Sequence, residues 1–561
     1  MVSPNATKRQ FRLACCRIFR DFAMKRSLLI IASLALIVTA CAAAPQPDAG
    51  NASSGLTFVH LNDTYRIGAV KDGNAGGLGR VVTVIRGLQA AGRDVRILHG
   101  GDFLYPSLES QLWNGLQMVD ALNLMAALAP MHVIIGNHET DRRTPEHLIA
   151  AVKESKFDWL GDNYRFNTRD TTVDSALRTA FTFEHGKKTI GVFSLTTHPD
   201  DDGNDRAYVP IDKNYIGVAK KTIEGFESIG VDAIIGITHL HMWQDVEIAA
   251  LREQHPKFIF IVGGHEHEPK YSPLSDDSAA VMKGASNARV IWTIDLEFDA
   301  AGMPVISQRE IELNESTLID AEYQALENKW RARLLATFPF LEARVGVAAI
   351  ALDGREETVR NEESNWGNFV VDQMRSAFGE PEADLAFING GTLRIDDFIE
   401  GDIRFEDIGR TFGFSSFLRR TTMTGAEFKK VMEAGYRGQG QSKGYFPQVS
   451  GFRVCVDRSR NEGYRIVSLQ VPTDDGWTEI GDDTQYGVIV SDFLYGGGDG
   501  YQIPKDRPAS RPGSELKYLV LNAILNAQAE GLKIGKPVDP DNPRYHELRE
   551  GQQPCFTSAD R

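Results

Sequence analysis

The sequence predicts an α/β fold of layered sheets and helices, on three observations. Five apolar, β-branched runs in the first half, LTFVHLND, DVRILHGGD, MHVIIGNHE, DAIIGITHLH and FIFIVGGHEH, each stop abruptly at Asp, Asn or His. Their apolar character is continuous rather than alternating, which is the pattern of strands covered on both faces. Between them lie stretches with helical spacing, such as GLGRVVTVIRGLQAAG and TPEHLIAAVKES, so strands and helices alternate.

At 561 residues, 42% hydrophobic and 24% charged, the chain is too long for one core, and two domains of a few hundred residues each are expected. A formal net charge of −15 argues against a nucleic-acid partner, because phosphate backbones select basic faces. An anionic substrate would then need locally placed cations.

The N-terminus reads as an address. Lys25 and Arg26 precede the apolar run SLLIIASLALIVTA, which is short for a membrane span and ends at Cys41 followed by small residues. Val38, Thr39, Ala40 and Cys41 resemble a bacterial lipobox, which implies lipidation of Cys41, export and anchoring in a membrane. The competing expectation is a plain secretory signal cleaved near Ala44. The segment AAAPQPDAGNASSG has no periodicity and reads as a tether. An exported chain sits where disulfides persist. Cys455 and Cys555 are the two cysteines beyond Cys41. Their pairing would contribute about 4 to 5 kcal/mol by constraining the unfolded chain, while the sequence leaves its geometry open.

In α/β sheets, ligands gather beyond the carboxyl ends of the strands. Asp63, Asp102, Asn137, His138, His239, His265 and His267 stand at the ends of the five runs and would converge on one place. Singly, each has a plainer reading as a turn residue or a satisfied core group. Together, carboxylates, an amide oxygen and imidazoles make a donor set suited to two divalent cations.

GD at 101–102, GNHE at 136–139, the His of ITH at 239 and GHEH at 264–267 resemble the motif series of calcineurin-like metallophosphoesterases. That resemblance implies two metal ions, zinc, manganese or iron, divalent or of mixed valence. Asp102 would bridge them, with Asp63 and His267 completing the first site, and Asn137, His239 and His265 the second. His138 would face the leaving group, with Asp141 holding its ring, as in the 5′-nucleotidase branch. The chain departs from the family at one point: the first motif is Asp, any residue, His, whereas this sequence has Asp63, Thr64, Tyr65. Tyr65 could bind as a phenolate, which needs a strongly acidic metal such as ferric iron. Tyr105 could serve instead, because GDFLY resembles the GDxxY of purple acid phosphatases. Otherwise the first site is depleted, or both tyrosines only pack.

The second half carries a matching resemblance. ESNWGNFVVDQMRSAF, INGGTLR, FGF, GYFPQVSG and SDFLYGGGDGY together resemble the C-terminal domain of 5′-nucleotidases. The organisation implied is a signal segment with lipobox at 1–41, a tether at 42–55, a metallophosphoesterase domain at 56–315, a connecting helix at 316–343 and an α/β substrate-binding domain at 344–556. Arg394 offers a planar fork suited to phosphate. Phe446 and Tyr501 match the family's clamp for a planar base, while Asn389, Arg437 and Asp506 are further substrate candidates. Phe414, bulkier than the family residue after FG, would narrow the base or sugar pocket. The reaction implied is in-line attack on phosphorus by a water activated between the two cations, releasing phosphate from nucleoside 5′-monophosphates. The alternatives are cyclic nucleotides, nucleotide sugars or sulfur esters at the same centre, or a binding protein that captures nucleotides without turnover.

Overall fold

The computed structural model describes residues 55–198, 206–378, 384–438, 443–507, 509–511, 513–548 and 555–556. Cys41, the lipobox and the tether up to residue 54 lie outside the described residues. Among the described residues, no helix is long and apolar enough to cross a membrane.

Residues 56–312 build two sheets. In chain order their strands are β1 (Leu56–Leu61), β2 (Asp94–His99), β3 (Met131–Ile134), β4 (Asp158–Leu160), β5 (Leu177–Arg178), β6 (Phe181–His185), β7 (Lys188–Thr196), β8 (Ala233–His239), β9 (Phe258–Gly263), β10 (Lys270–Ser272), β11 (Ala280–Lys283), β12 (Val290–Phe298) and β13 (Pro304–Glu312). One sheet has the order β13-β12-β1-β2-β3-β4-β5 and the other β10-β11-β9-β8-β7-β6. β1 to β5 are parallel to one another, as are β7, β8, β9 and β11. The five runs that end in a ligand are β1, β2, β3, β8 and β9.

The sheets face each other across an apolar layer that includes Phe58, Leu98, Ile134, Ile235, Ile237 and Phe260. Their outer faces are covered by helices. Val81, Val82 and Ile85 of helix Leu78–Ala90 and Met118 and Leu122 of helix Leu116–Ala126 pack on the first sheet. Ile223 and Phe226 of helix Tyr215–Ser228 and Ile248 of helix Met242–Ala249 pack on the second. Successive side chains on a strand point to opposite faces, so strands with apolar neighbours on both sides must be apolar throughout. That is why β1, β8 and β9 read as unbroken runs.

Helix Ala321–Thr337 is capped by Asp320, whose side chain accepts from the backbone N–H groups of Glu322 and Tyr323. Tyr323 and Trp330 bury themselves in the core beneath the first sheet. Beyond it, a four-stranded sheet has the order Leu418–Thr424, Gln485–Ser491, Leu385–Asn389, Pro447–Ser450. Helices Asn365–Ser376 and Leu516–Ala529 share one core on it, through Trp366, Val370, Val520 and Ile524. A second core, around Phe387, Phe428, Phe446, Phe452 and Tyr501, joins this sheet to the strand Arg453–Val456.

Cys455 and Cys555 are bonded, with Cα atoms 5.7 Å apart and a sequence separation of 100. The bond ties the C-terminal tail to the strand Arg453–Val456. Cys455→Ser or Cys555→Ser should each lower the unfolding free energy by about 2 to 5 kcal/mol. Denaturant titration checks this, and reductant should bring the wild type to the same midpoint.

Candidate metal centre

The carboxyl ends of β1, β2, β3, β8 and β9 meet at the rim between the two sheets. Asp63, Asp102 and His265 all take left-handed backbone angles, with φ of 53°, 60° and 81°. Such angles cost non-glycine residues free energy and persist only where surrounding contacts over-determine them. Here the Asp63 N–H donates to the Gly101 carbonyl at 3.0 Å, and its own carbonyl accepts from Asn287 N–H at 2.9 Å. The Asp102 turn is held by Glu139, whose carboxylate accepts from the backbone N–H groups of Asp102, Phe103, Leu104 and Gly136 at 2.6–2.9 Å.

The donors form two groups that share Asp102. In the first, Tyr65 Oη lies 3.2 Å from Asp63 Oδ1, 3.0 Å from Asp102 Oδ2 and 2.9 Å from His267 Nε2. His267 Nε2 and Asp63 Oδ1 are 3.5 Å apart. In the second, Asn137 Oδ1 lies 3.0 Å from His239 Nε2 and 3.2 Å from His265 Nδ1, while His239 Nε2 is 3.4 Å from Asp102 Oδ2. Ligands bound at about 2.1 Å around one cation are separated by about 3.0 Å in an octahedron and about 3.4 Å in a tetrahedron. Both groups have those spacings. Atoms of Asp63, Asp102 and His239 also fall within 4.8 Å of one another.

The electrostatics describe a site short of positive charge. Burial, with the Asp102 charge adding to it, pushes Asp63 up to about 7. Asp102 is itself held well below the carboxylate range: burial opposes ionisation, but His239 and His138 outweigh it. The same carboxylates drive His239 up to about 10 against its own burial. Burial lowers His265 far below the imidazole range and His267 to about 3, so both rings are neutral and keep lone pairs. His239 Nδ1–H donates to the Gly100 carbonyl at 2.6 Å, so Nε2 is the nitrogen that faces the site, protonated beside the carboxylates alone and freed for a cation only by losing that proton. Paired carboxylates and neutral imidazoles crowded into a buried space fit cations.

Tyr65, and not Tyr105, brings its hydroxyl into the first donor group, against Asp63, Asp102 and His267. Tyr105 Oη donates to Asn114 Oδ1 at 3.1 Å and its ring lies 4.7 Å from the Arg142 guanidinium, so its hydroxyl faces away from both donor groups. The expectation of Tyr105 as a ligand is corrected accordingly. Burial and the two nearby aspartates hold the Tyr65 phenol far above its ordinary pKa, and it donates as a neutral hydroxyl.

His138 stands at the edge of the second group. Its Nδ1 lies 2.9 Å from Asp141 Oδ2, its backbone N–H donates to Asp102 Oδ1 at 2.9 Å, and its Nε2 accepts from Arg394 at 3.0 Å. Arg394 comes from the second half of the chain, at the end of strand Leu385–Asn389 and the turn that follows it. Its Nε donates to the Gly391 carbonyl, and its guanidinium sits between the rings of Tyr65 and Phe414, 5.2 and 5.3 Å from their centroids. Its remaining nitrogen is buried without a hydrogen-bond partner. Phe414 lies against His138 rather than over a base or sugar pocket, with ring centroids 5.7 Å apart.

Other expected substrate residues are placed differently. Phe446 and Tyr501 are 1% and 0% exposed and belong to the core. Phe446 packs edge-on against Tyr545, and Tyr501 lies against Phe387 with its hydroxyl donating to the Tyr445 carbonyl. Neither offers a free ring face, so the expected clamp is corrected to core packing in this arrangement. Asn389 is taken up by Asp499 and Thr392, and Arg437 by the carbonyls of Ala434 and Asp499. Both brace the Asp499 turn. Asp506 is exposed beside Arg507, whose guanidinium pairs with Glu427.

Several contributing residues escape sequence reading. Glu139 stands inside the GNHE motif, which marks its place but not the backbone N–H groups it gathers around the Asp102 turn. Lys283, fully buried, bonds Asp245 at 2.9 Å and Glu266 at 2.6 Å and donates to the Leu240 and Gly264 carbonyls, tying the loop after His239 to the loop carrying His265. Glu356, Arg360 and Arg289 form a buried cluster behind His267. His241 lies 4.4 Å from the His265 ring and stacks on Trp243.

A family model for calcineurin-like phosphoesterases matches residues 56–269, and one for the 5′-nucleotidase C-terminal domain matches 344–506. The chain belongs to the 5′-nucleotidase family. It is 25% identical to a 5′-nucleotidase of Bos taurus over 84% of this chain and 88% of that protein. Its fold matches a Thermus thermophilus 5′-nucleotidase precursor with a TM-score of 0.76 at 22% identity, covering 88% of this chain and 100% of the other. It also matches the Thermus thermophilus sulfate thiohydrolase SoxB, with a TM-score of 0.69 at 16% identity over 90% and 99% of the two chains. The protein is a metallophosphoesterase hydrolase with an N-terminal metallophosphoesterase domain and a C-terminal 5′-nucleotidase domain, and the donor groups above are its candidate metal site.

The approach of β3 to the Asp102 turn yields a direct check. A Cβ at Gly136 would lie 2.1 Å from Asp102 Oδ1 and 2.5 Å from His239 Cε1, so Gly136→Ala must displace a donor of each. Metal bound per chain should fall, with binding weakened by about 10-fold or more, while the circular dichroism spectrum is retained. Gly87→Ala, on an open helix surface, should leave metal content unchanged.

Proposed function

We propose that this metallophosphoesterase is exported and lipid-anchored and that it releases phosphate from nucleoside 5′-monophosphates. The reading takes residues 56–315 as the catalytic domain, 316–343 as the connection and 344–556 as the domain that delivers substrate. The observation that carries it is Arg394: a buried guanidinium beside Asp102 and the Tyr65 hydroxyl, in contact with His138, with one nitrogen that makes no close hydrogen bond. A buried unpaired donor is costly, and a phosphoryl oxygen is the partner its planar fork suits. In a chain of net charge −15, this is cationic charge placed where an anionic group would react.

The two donor groups are read as holding two cations, zinc, manganese or iron, with Asp102 shared. When bound, such a pair supplies Lewis acidity toward phosphoryl oxygens and acidifies water. The chain's own residues do the rest. Asp141 accepts the His138 Nδ1–H and fixes the ring, so Nε2 is the atom that can carry a proton to the departing oxygen. Arg394 orients the phosphoryl group, and the rings of Tyr65 and Phe414 hold that guanidinium in place and exclude water around it. The bonded Cys455–Cys555 pair supports an oxidising compartment, in keeping with export through a lipidated Cys41.

A second reading keeps the centre but changes the leaving group. The burial of Phe446 and Tyr501 favours it, because no ring face is free there to stack on a base.

Phosphate release by the metal-loaded full chain from AMP, compared with a non-nucleoside phosphomonoester such as glycerol phosphate, separates the two. The first reading predicts higher kcat/KM for AMP, and the second predicts the reverse. In either case His138→Ala should cost about 10²- to 10⁴-fold in kcat. Arg394→Ala should cost about 10²- to 10³-fold. Release from neither ester would defeat both readings.

A further inference from the structure

The metal ligand His267 is held by a residue from the other half of the chain. His267 Nδ1 lies 2.9 Å from both carboxylate oxygens of Glu356, which opens the short helix Glu356–Val359. Glu356 is 2% exposed and is contacted from both sides of the seam. From the metallophosphoesterase domain, Ser286 Oγ donates to it at 2.8 Å and Arg289 approaches to 3.6 Å. From its own side, Arg360 donates at 2.8 Å, and the Glu356 backbone N–H donates to Asp396 Oδ1 at 3.1 Å. Arg289 in turn reaches Asp396 at 3.4 Å and Glu357 at 3.5 Å.

A carboxylate that accepts the Nδ1–H of an imidazole fixes its tautomer, orients the ring and makes Nε2 a better donor. Nε2 is the atom of His267 that faces Tyr65 and Asp63. For His239 the same service comes from the Gly100 carbonyl in its own domain. For His267 it comes from a segment 89 residues away, on the domain that also carries Arg394.

We propose that Glu356 is a positioning residue that completes the first metal site from across the domain seam, so that affinity for one cation depends on the C-terminal domain being seated as it is here. This rests on the two-cation reading given above. Coupling of this kind is reciprocal: seating the domain tightens the first cation, and filling that site favours the seated arrangement. Arg394 reaches His138 in the same arrangement, so a filled first site and a delivered phosphate-binding arginine occur together. The second cation would be held by Asn137, His239 and His265 with Asp102, and its His239 is braced by Gly100 within the same domain, so its affinity should not depend on Glu356.

The test is a titration of the metal-free full chain with Mn²⁺ by calorimetry, on wild type, Glu356→Ala, Glu356→Gln, His267→Ala and the double variant Glu356→Ala/His267→Ala. Wild type should bind two ions. Glu356→Ala should weaken one of them by about 10- to 100-fold and leave the other within about 2-fold. Glu356→Gln, which keeps an acceptor of the same shape without the charge, should show a smaller loss at the same ion. Adding Glu356→Ala to His267→Ala should cause no further loss, because the carboxylate acts only through that ring. Unchanged affinities in both Glu356 variants would overturn the proposal, as would equal weakening of both ions or losses that add in the double variant. Fewer than two ions bound by wild type would instead remove the two-cation reading beneath it.

Discussion

Asp102 has to serve two donor groups at once, and the surrounding architecture is shaped by that demand. Its Oδ2 faces Tyr65 and His239, while its Oδ1 accepts from the backbone of His138. A buried carboxylate in this position is repelled by Asp63, and among the described residues no lysine or arginine is bonded to it, Arg394 acting only at a distance. The chain accepts a left-handed backbone at Asp102, spends the Glu139 carboxylate on bracing its turn, and leaves no side chain at Gly136 so that the strand ends can close upon it. Bound cations would make this arrangement electrostatically sound, with Asp102 shared between one imidazole and two oxygens on the first side and two imidazoles and one amide oxygen on the second.

Around that carboxylate the contacts form successive shells. The strand ends and their glycines set the donors within a few ångströms of one another. Buried ion pairs then tie loops together, as Lys283 does between the segments carrying His239 and His265. The outermost shell is the seam, where Arg289, Glu356, Asp396 and Arg360 interleave charges from both domains. Burial opposes ionisation of Glu356, but Arg360, His267 and Arg289 outweigh it and hold the carboxyl well below its usual range. The same seam also carries an apolar cluster of Leu108, Leu334, Leu341 and Phe405, so paired charges and apolar contact together hold the two domains.

The strands and the first ligands were legible because they obey local rules. β1, β2, β3, β8 and β9 begin and end within a residue or two of the apolar runs, and their terminal Asp, Asn and His residues do converge as the carboxyl-end rule requires. What was not legible depends on contacts between distant segments. Nothing local distinguishes Glu356 from the acidic residues around it in DGREETVR, yet it touches a ring 89 positions away. Phe446 and Tyr501 fail for the complementary reason: a Gly-rich setting allows an exposed ring, but whether the ring faces a cleft or a core is decided by Phe387, Tyr436 and Tyr545, which come from three separate elements. The choice between Tyr65 and Tyr105 was likewise open in sequence and is decided by which hydroxyl points into the donor group.

We propose that two cations share Asp102 and that the Tyr65 hydroxyl stands beside one of them, in place of the family's histidine. Anomalous-scattering maps from metal-loaded crystals of the full chain test it most directly. The expected result is two peaks about 3.5 to 4 Å apart, both within bonding distance of Asp102, one of them also bonded to Tyr65 Oη, Asp63 and His267. A single peak away from Asp102, or two peaks with Tyr65 turned out of reach of both, would contradict it.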